Sequence, residues 1–341
     1  MKTAEIKSVF ENFQSVSADF NIKKLTSGHI NSTYLIQNKK QKFVLQKINV
    51  EVFKKVENIT NNIFEVAKHL ENKAYPHKIL KPLTFLNGEF IWKRKWRIFE
   101  FFENTKTYEK VISTKQAFEA AKFLGEFHRY LKDFEIEKIT QPIPGFLDFQ
   151  QRIFQFKKSL KTAKTERKQQ AAKEIKIIQQ NISLLDKWNL IAEKLPKRII
   201  HADPKISNFL FCEKNKEKII ALIDWDTLMK GSILYDFGDM VRSYTNLKSE
   251  DDFSNTNNFS LENFKALKKG FLFYLEEELT TTEKENLDLA GKIVVYIQAI
   301  RFLTDYLNGD LYFNIKRPHH NLERTQSQLN LLENMKKKLK L

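Results

Sequence analysis

The sequence predicts an α+β protein, with a small β-rich part at the N-terminus and a larger, mainly helical part after it. Two observations carry this prediction. Short apolar runs separated by turn residues dominate the first hundred residues, and apolar residues recur at helical spacing through most of the chain beyond residue 114. A chain of 341 residues is long enough for two domains. We place these domains at 1–103 and 104–341.

The β-rich part is predicted to begin with a short helix and a hairpin. The helix lies near 4–14, and the hairpin joins the strand-like runs FNIKKLTS and INSTYLIQ through a turn at Gly28-His29. A strand is predicted over 42–48, and an amphipathic helix over 55–71, where apolar residues recur every three or four positions. Two further strands fit the apolar runs at 83–92 and 96–102.

The second part is predicted to begin with a clear helix, QAFEAAKFLGEFHRYL, and to contain one β-rich insert. After an interruption at Pro142 and Pro144, a helix near 149–163 leads to a very polar helix that ends near Lys194. The insert consists of RIIHADPKISNFLF and KIIALIDWD, which are joined by a polar turn. From Ser232 onward the pattern is again mostly helical.

The composition, with 42% apolar and 29% charged residues, is that of a globular protein. A formal charge of +16 favours anionic partners such as phosphates. Lysine is spread along the whole chain without a basic, aromatic-interleaved element, so we do not predict nucleic-acid binding. We recognise no signal peptide and no membrane span, and Cys212 is the single cysteine. These features predict a cytoplasmic location and leave the oligomeric state open.

The segment HADPKISN contains the first candidates for catalytic chemistry. Asp203 and Asn208 lie five residues apart in a predicted loop, which is the spacing of the kinase catalytic loop HxDxxxxN. Phosphoryl transfer needs a carboxylate that orients the attacking hydroxyl and accepts its proton, and it needs oxygen ligands for magnesium. Asp203 fits the first task, and the neutral amide of Asn208 fits the second.

Two more carboxylates follow in the run LIDWD, which begins a short distance after Asn208. The run FLFCEKNKEKIIALID reads as a hairpin, which would bring Asp224 back beside Asn208. Strand alternation would place Asp224 and Asp226 on one face and Trp225 on the other. Two carboxylates on one face are unfavourable unless a cation lies between them or water reaches them. Each aspartate alone fits a loop or cap equally well, but the combination predicts a metal site.

The letters DFG at 236–238 have a different interpretation. Asp236 precedes an apolar-periodic segment, and Asp239 stands three residues on, which resembles a capping box. We therefore predict that Asp236 caps a helix packed behind the catalytic loop, and that it does not bind the metal.

The N-terminal part contains a candidate phosphate cradle in LTSGHINSTYL, with Ser27, Gly28 and Asn31 as donors; a plain hairpin is an equally good interpretation. The strand FVLQKI lies where a kinase keeps its phosphate-binding lysine. Its apolar run puts Gln46 at the lysine position and Lys47 one step on, facing the other way. Either a bulge turns Lys47 toward the phosphates, or another cation takes this role.

Together these residues resemble the aminoglycoside phosphotransferase and choline kinase superfamily of small-molecule kinases, and within it the bacterial N-acetylhexosamine 1-kinases. The resemblance covers most of the chain. Its three last segments are long and specific, and the final one discriminates best within the superfamily. The segments are SGHINSTYLI at 27–36, FVLQKIN at 43–49, WRIFEFFENTKTY at 96–108, HADPKISNFLF at 201–211, IDWDTLMKGSILYDFGDMVR at 223–242 and RFLTDYLNGDLYFNIKRPHHNLER at 301–324.

The resemblance implies a two-lobed protein-kinase-like fold, with a small β-rich lobe, a large mainly helical lobe, and ATP and Mg²⁺ between them. It implies Asp203 as catalytic base, Asn208 and Asp224 as metal ligands, and Asp226 as a ligand of a second magnesium ion. Its nucleotide-binding residues would be Ser27, Gly28, Asn31, Lys47, Phe99, Glu100 and Phe101.

The resemblance also implies how the sugar is held. Arg301 and Tyr312 of the helical part would bind it together with Asp203, and His29 would reach it from the N-terminal loop. Because Arg301 and Asp305 are four residues apart on a predicted helix, an intrahelical ion pair is the alternative interpretation of Arg301.

Three positions depart from the family pattern. The chain has Phe146-Leu147-Asp148-Phe149 where the family tends to have Phe-His-Asp-Thr. It has Ser243-Tyr244-Thr245 where an aromatic residue and a glycine are common. It has Ala202-Asp203-Pro204 in place of Asn or Gly, Asp and Thr. None of these changes removes a group that the transfer needs, but the first two could change which sugar is accepted.

The predicted function is ATP-dependent phosphorylation of the anomeric hydroxyl of N-acetylglucosamine or N-acetylgalactosamine. One alternative is a kinase of another small alcohol, such as an aminoglycoside or choline, which an acidic acceptor pocket would favour. A second alternative is a nucleotide-binding pseudokinase. Gln46 favours the pseudokinase, and the intact set of Asp203, Asn208 and Asp224 argues against it.

Overall fold

The structure is a computed structural model, and it describes residues 2–13, 20–25, 31–38, 41–248 and 258–339. The chain divides into two units of close internal contact. Unit 1 comprises Met1–Lys106, Tyr130–Pro144 and Leu210–Lys230, and unit 2 comprises Thr107–Arg129, Gly145–Phe209 and Gly231–Leu341. The functional boundary between residues 103 and 104 stays a prediction.

The strands are concentrated in the first hundred residues and in the insert, as the sequence predicts. In chain order they are β1 Asn21–Leu25, β2 Ser32–Gln37, β3 Lys42–Lys47, β4 Pro82–Leu83, β5 Trp96–Glu100, β6 Thr105–Lys106, β7 Arg198–Ile200, β8 Phe209–Cys212, β9 Asn215–Leu222 and β10 Met229–Gly231. The helices are α1 Lys2–Glu11, α2 Val56–Asn72, α3 Thr114–Tyr130, α4 Phe149–Thr162, α5 Thr165–Gln170, α6 Ala172–Gln180, α7 Ser183–Ala192, α8 Ile233–Tyr244, α9 Leu261–Leu275, α10 Thr281–Glu285, α11 Leu287–Leu307 and α12 His320–Lys338.

Unit 1 is built on a five-stranded antiparallel sheet with the order β1-β2-β3-β5-β4. Alternation along β3 sends Phe43 and Leu45 to one face, where they pack with Ile6, Val9 and Phe10 of α1. The predicted first helix and the hairpin strands are thereby confirmed, and α1 covers one face of the sheet.

A second apolar cluster of unit 1 joins the chain after β3 to the start of α2. Ile48, Phe53, Val56 and Ile59 are buried together there. The predicted amphipathic helix over 55–71 is confirmed by α2, whose buried residues follow helical spacing. Asn62 on this helix is also buried, and its amide nitrogen donates to Thr140 O at 2.7 Å, which satisfies a polar group inside the unit.

The strand predicted over 83–92 was wrong. Only Pro82–Leu83 forms a strand, because Asn87-Gly88 makes a tight turn in the middle of the run. Gly88 has φ +83°, and its N–H donates to Phe85 O at 2.9 Å. Asn-Gly is a strong turn signal, and here it outweighs the apolar residues on either side of it.

Unit 2 is mainly helical, as predicted, and α11 lies at its centre. This helix packs against α4, α7, α8 and α12, and most of its residues are buried. The predicted helix over 149–163 is confirmed by α4, whose N-cap Asp148 accepts from Gln151 N at 2.8 Å.

The single polar helix predicted to end near Lys194 was wrong, because the segment forms three helices, α5, α6 and α7. Ala171 separates α5 from α6 and is fully buried. Asn181 separates α6 from α7, and its side-chain nitrogen donates to Ile177 O at 2.8 Å while its oxygen accepts from Lys336 Nζ. A mid-segment asparagine that bonds the local backbone competes with helix continuation.

Within the described ranges, we find no helix with the combined length and apolarity that crossing a membrane requires.

Gly238, the glycine of the DFG letters, is required where α8 crosses α11. A Cβ at this position would come within 2.5 Å of the backbone oxygen of Ala290. We expect Gly238→Ala to lower the free energy of unfolding, because such overpacking costs about 1–3 kcal/mol and exceeds the helix-propensity gain of up to ~1 kcal/mol. Chemical denaturation followed by circular dichroism measures this change.

Gly291→Ala is the matched control at the same crossing. Its Cβ would meet only side-chain atoms, Val241 Cγ1 at 2.9 Å and Met335 Cε at 3.3 Å, which can move aside. An equal or smaller loss in Gly238→Ala than in Gly291→Ala would contradict the close backbone approach of the two helices.

Candidate active site

The predicted catalytic loop belongs to unit 2 and begins directly after β7. His201 and Ala202 follow Ile200, and a short 3-10 turn over Ile206–Asn208 ends the loop. Ala202 has φ +64°, a left-handed conformation that costs an alanine roughly 1–2 kcal/mol. The family pattern has Asn or Gly here, and both adopt this conformation more readily. The loop therefore contains local strain that other contacts must offset.

Asp236 supplies those contacts. Its fully buried carboxylate accepts from His201 N at 2.8 Å and from Ala202 N at 2.7 Å, one bond to each oxygen. His128 Nε2 of α3 lies 3.0 Å from the same carboxylate. The prediction that the DFG segment packs behind the catalytic loop is confirmed.

The capping role predicted for Asp236 was wrong. The N-cap of α8 is Ser232, whose side chain accepts from Leu234 N at 3.2 Å, and Asp236 lies inside the first turn. The predicted partner Asp239 instead bonds Arg242 Nε at 2.7 Å. One turn further along α8, the hydroxyl of Tyr244 donates to Pro204 O at 3.1 Å and secures the other side of the loop.

Asp203 lies in this loop with an ammonium group beside it. Lys205 Nζ donates to Asp203 Oδ2 at 2.8 Å. Burial acts to raise the pKa of Asp203, but the Lys205 charge and hydrogen bond, with His201 and Arg242, outweigh it and hold the pKa below its usual range. Asp203 is therefore a carboxylate that stays ionised in mildly acidic solution and is a weak base.

Asn208 is oriented in a way that fits a metal ligand. Its amide nitrogen donates to Asp203 O at 2.8 Å, so its amide oxygen is the atom turned away from Asp203 and suited to a cation. Asp224, the second predicted ligand, belongs to unit 1. No cluster of three or more His, Cys, Asp or Glu side chains suited to a metal occurs in the described part of the chain. A magnesium site here would therefore have to combine amide and carboxylate oxygens as ligands.

The strand alternation predicted for Asp224 and Asp226 was wrong. β9 ends at Leu222, Asp224 has φ +64° and ψ 52°, and a 3-10 turn covers Trp225–Thr227. The two carboxylates therefore do not share a strand face.

Asp226 is almost fully buried and held by two side chains of unit 1. Arg97 Nη2 donates to its Oδ1 at 2.5 Å, and Asn31 Nδ2 donates to its Oδ2 at 2.6 Å. The oxygen of Asn31 in turn accepts from Asn49 N at 2.9 Å. Both oxygens of Asp226 thus have protein partners, and its metal-binding role stays a prediction.

Of the predicted nucleotide-binding residues, Ser27 and Gly28 lie outside the described residues, as does the predicted sugar contact His29. Asn31 is held by the hydrogen bond that its side-chain nitrogen donates to Asp226. Phe99 is buried on β5, and Glu100 ends that strand with its side chain exposed. Phe101 N donates to Lys42 O at 3.2 Å.

Lys47 points to the α1 face of the sheet. Its ammonium lies 3.1 Å from Glu5 Oε1 of α1 and 5.2 Å from the Trp96 ring centroid. The β2–β3 and β3–β5 registers run without interruption through Lys47, so β3 lacks the bulge that would turn this side chain to the other face. The structure therefore contradicts the expectation that Lys47 reaches phosphates, and the other predicted option, a different cation, remains.

Arg301 does not form the intrahelical pair with Asp305. Its guanidinium contacts two aromatic rings, 5.3 Å from the Phe146 centroid and 5.5 Å from the Phe313 centroid. Asp305 instead accepts from the backbone N–H groups of Leu311, Tyr312 and Phe313 at 2.8–2.9 Å. Asp305 thus shapes the segment that carries Tyr312, which is exposed.

Several residues beside these groups were missed by the sequence reasoning. Lys205 could have been found, since it stands two residues after Asp203 in the catalytic loop. Arg152 lies close enough to Arg301 for their charges to interact, and this repulsion adds to burial in lowering the Arg152 pKa. Burial raises the pKa of Tyr235, and the nearby charges of Asp239 and Asp203 raise it further. No local pattern identifies Tyr235 as a neighbour of Asp203, or Arg152 as a neighbour of Arg301.

Solved structures of small-molecule kinases share this fold. Plasmodium vivax ethanolamine kinase is 13% identical, with TM-score 0.61 over 94% of this chain and 85% of that one. An aminoglycoside phosphotransferase from Alicyclobacillus acidocaldarius is 11% identical, with TM-score 0.65 over 97% and 95%. A spectinomycin phosphotransferase in complex with ADP and spectinomycin is 12% identical, with TM-score 0.62 over 99% and 98%. These matches confirm the predicted kinase-like α+β fold.

The sequence itself matches the phosphotransferase enzyme family over residues 21–255, about two thirds of its length. The chain belongs to this family. It is therefore an enzyme that transfers a phosphoryl group to a hydroxyl group of a small molecule, with ATP and Mg²⁺ as cofactors. The pseudokinase alternative is set aside on this ground.

We expect Asp236→Asn to destabilise unit 2 and to lower kcat. An amide offers one acceptor and turns its NH₂ toward the second backbone N–H, and a hydrogen bond to a charged group contributes about 1.5–3 kcal/mol. Denaturation curves and steady-state kinetics measure the two effects. Asp239→Asn is the control for the stability measurement alone, because one oxygen of Asp239 has no hydrogen-bond partner among the described residues and burial raises its pKa. Equal stability of Asp236→Asn and wild type would contradict the assigned role.

We expect Lys205→Met to move the acidic limb of the kcat/KM–pH profile to higher pH. In its predicted role as the base, the Asp203 carboxylate must be ionised to accept the proton, so activity would be lost as the pH falls through its pKa. Without the ammonium group, burial raises that pKa, so the loss begins at a higher pH than in wild type. Lys205→Arg keeps the charge and should retain the wild-type limb. An unshifted limb in Lys205→Met would show that Lys205 does not set the pKa of Asp203.

Proposed function

We propose that the protein is an ATP-dependent kinase of the anomeric hydroxyl of an N-acetylhexosamine, giving the sugar 1-phosphate. The observation that carries this proposal is a pair of arginines, Arg152 and Arg301, on the same unit as Asp203. Neither has a carboxylate partner in the part of the chain that the structure describes.

Arg152 and Arg301 lie in an aromatic surrounding. Arg152 Nη2 donates to Phe146 O at 3.4 Å and its Nη1 to Gln155 at 3.1 Å, while its buried Nε has no partner among the described residues. The ring of Phe146 contacts both Arg301 and Tyr235. A surface of aromatic rings with a few fixed polar groups is typical of small-molecule sites.

Tyr235 connects this cluster with the catalytic loop. The charge of Arg301 lowers the pKa of its hydroxyl, and the charge of Asp203 raises it, so both groups lie near Tyr235. The charge of Arg152 also interacts with Tyr235. An acceptor whose hydroxyl lies at Asp203 would therefore have its other substituents near Tyr235 and Arg301.

The charge of this region disfavours cationic acceptors. The aspartates of this region already have protein partners: Asp236 the loop backbone, Asp239 the Arg242 guanidinium and Asp148 the start of α4. An aminoglycoside polycation or a quaternary ammonium group would lie beside two guanidinium groups, where each of these carboxylates already accepts a hydrogen bond. A neutral acyl-amino sugar meets no such repulsion, and its carbonyl oxygen suits an arginine donor.

A polyhydroxylated acceptor also suits Asp239. Its Oδ2 is buried and lacks a hydrogen-bond donor in the described ranges, and an unsatisfied buried oxygen is costly. A sugar hydroxyl is a donor of the kind this atom lacks. The resemblance of residues 301–324 to bacterial N-acetylhexosamine 1-kinases gives independent support for a sugar.

The chemistry required of the protein is small. Asp203 would orient the anomeric hydroxyl, whose oxygen forms a bond to the γ-phosphorus of ATP while the bond to the bridging oxygen of ADP breaks. The proton of the hydroxyl passes to Asp203 late in the transfer. Because an anomeric hydroxyl is more acidic than an ordinary alcohol, a carboxylate with a lowered pKa suffices as the base. Lys205 keeps that carboxylate ionised and in place.

Magnesium, when bound, would neutralise charge on the phosphates, and Asn208 and Asp224 are the residues that would hold it. Asn208 also fixes the Asp203 backbone through its amide nitrogen. The same side chain thus links the position of the base to the metal.

The test is ADP release across a panel of N-acetylhexosamines, free hexosamines, aminoglycosides, choline and ethanolamine. We expect turnover with N-acetylglucosamine or N-acetylgalactosamine. Asp203→Asn should lower kcat by at least about 10²-fold, since general-base catalysis contributes about 10²–10⁴-fold. Turnover confined to the aminoglycosides or to choline would contradict the sugar proposal, and full activity of Asp203→Asn would contradict the mechanism.

Glucosamine and N-acetylglucosamine form a matched substrate pair that isolates the arginines. We expect the wild type to reject glucosamine, because its ammonium group replaces the neutral amide and is repelled. Arg301→Met and Arg152→Met should raise the KM of N-acetylglucosamine and reduce the discrimination between the two sugars, with the KM of ATP unchanged. Undiminished discrimination in both variants would show that the arginines do not face the acceptor.

A further inference from the structure

The sheet of unit 1 lacks a cation at the position where kinases carry their phosphate-binding lysine. Gln46 occupies that position on β3, and Lys47 faces α1 and Glu5. The β3–β5 register pairs Gln46 directly with Arg97. Directly paired residues extend to the same face of a sheet, so Arg97 lies on the Gln46 face, opposite α1.

Arg97 is held rigidly on this face. Its Nε and Nη2 donate to Gln46 Oε1 at 3.0 and 2.8 Å, and its Nη2 also donates to Asp226 Oδ1. Its guanidinium carbon lies 5.0 Å from the centroid of Phe99, a predicted nucleotide contact. Gln46 itself is oriented by Thr33 Oγ1, which accepts from its Nε2 at 3.3 Å.

One donor of this arginine remains unused. Nη1 of Arg97 is buried and has no hydrogen-bond partner among the residues that the structure describes. Burying a charged donor without an acceptor is unfavourable, so such an atom indicates an acceptor that is supplied by a ligand. The guanidinium of Arg97 contacts Asp226 and Phe99, and Asp226 in turn accepts from Asn31. All three are predicted nucleotide or metal residues of the same unit.

We propose that Arg97 binds the phosphate groups of the nucleotide through Nη1 and supplies the positive charge that Gln46 cannot. Gln46 is then a positioning residue, which turns the guanidinium by accepting from two of its nitrogens. Asp226 also accepts from Nη2 and helps to fix the guanidinium. The inference rests on the use of ATP in the proposed function and does not depend on the identity of the acceptor.

The test compares ligands that differ only in phosphates. Isothermal titration with adenosine, ADP and ATP is carried out in EDTA without acceptor, so that neither magnesium nor the sugar contributes. We expect Arg97→Gln to weaken ADP and ATP about 10–100-fold and to leave adenosine within about 2-fold, since one charge-assisted hydrogen bond is lost. Equal weakening of adenosine and ADP, or no weakening of ADP, would overturn the proposal.

Arg97→Gln leaves Asp226 buried without its cation and could prevent folding. The neutral double variant Arg97→Gln/Asp226→Asn removes both charges, and adding Gln46→Lys to it restores one cation at the usual kinase position. We expect the triple variant to regain at least about 5-fold in ADP affinity over the double variant, with adenosine unchanged. No regain would contradict a phosphate-binding charge at this face. Absence of nucleotide binding in the wild type would instead contradict the proposed function itself.

Discussion

The hydrogen bonds from the catalytic-loop backbone to Asp236 are the interaction on which the rest of the site depends. Two successive N–H groups, of His201 and Ala202, donate to one buried carboxylate. Ala202 itself has a positive φ, which an alanine disfavours. The position of Asp203 follows from this constraint, because it is the next residue in the chain. Lys205 and Asn208 then complete its surroundings within the same loop.

Unit 1 uses a second buried carboxylate in a similar way. Asp226 holds the segment after β9 through Arg97 of the sheet and Asn31 before β2. Each of these segments is therefore anchored by a buried aspartate whose two carboxylate oxygens both have protein partners. Both segments contain a residue with positive φ, Ala202 in one and Asp224 in the other.

The sequence predicted most helices because their apolar periodicity is local, as in α2, α3 and α4. It failed at 83–92, where a turn at Asn87-Gly88 interrupts an apolar run, and at the polar segment before Lys194, where Ala171 and Asn181 divide the helix. In the site, the residues that share one loop were predicted together, since Asp203 and Asn208 depend on spacing alone. The role of Asp236 was not, because its two backbone donors lie 34 and 35 residues away. Arg97 faces Gln46 only through sheet register, and an arginine in the buried run WRIFE was the one local signal of it.

The most direct test of the account is the position of the phosphate on the product formed from ATP and N-acetylglucosamine or N-acetylgalactosamine. Proton and phosphorus NMR of the purified product measure it. We predict coupling of the phosphorus nucleus to the anomeric proton. The lowered pKa of Asp203 makes it a weak base, which suits the acidic anomeric hydroxyl better than an ordinary alcohol. Phosphate on any other oxygen of the sugar, or no transfer to either sugar under conditions in which ADP is released with a different alcohol, would contradict the account.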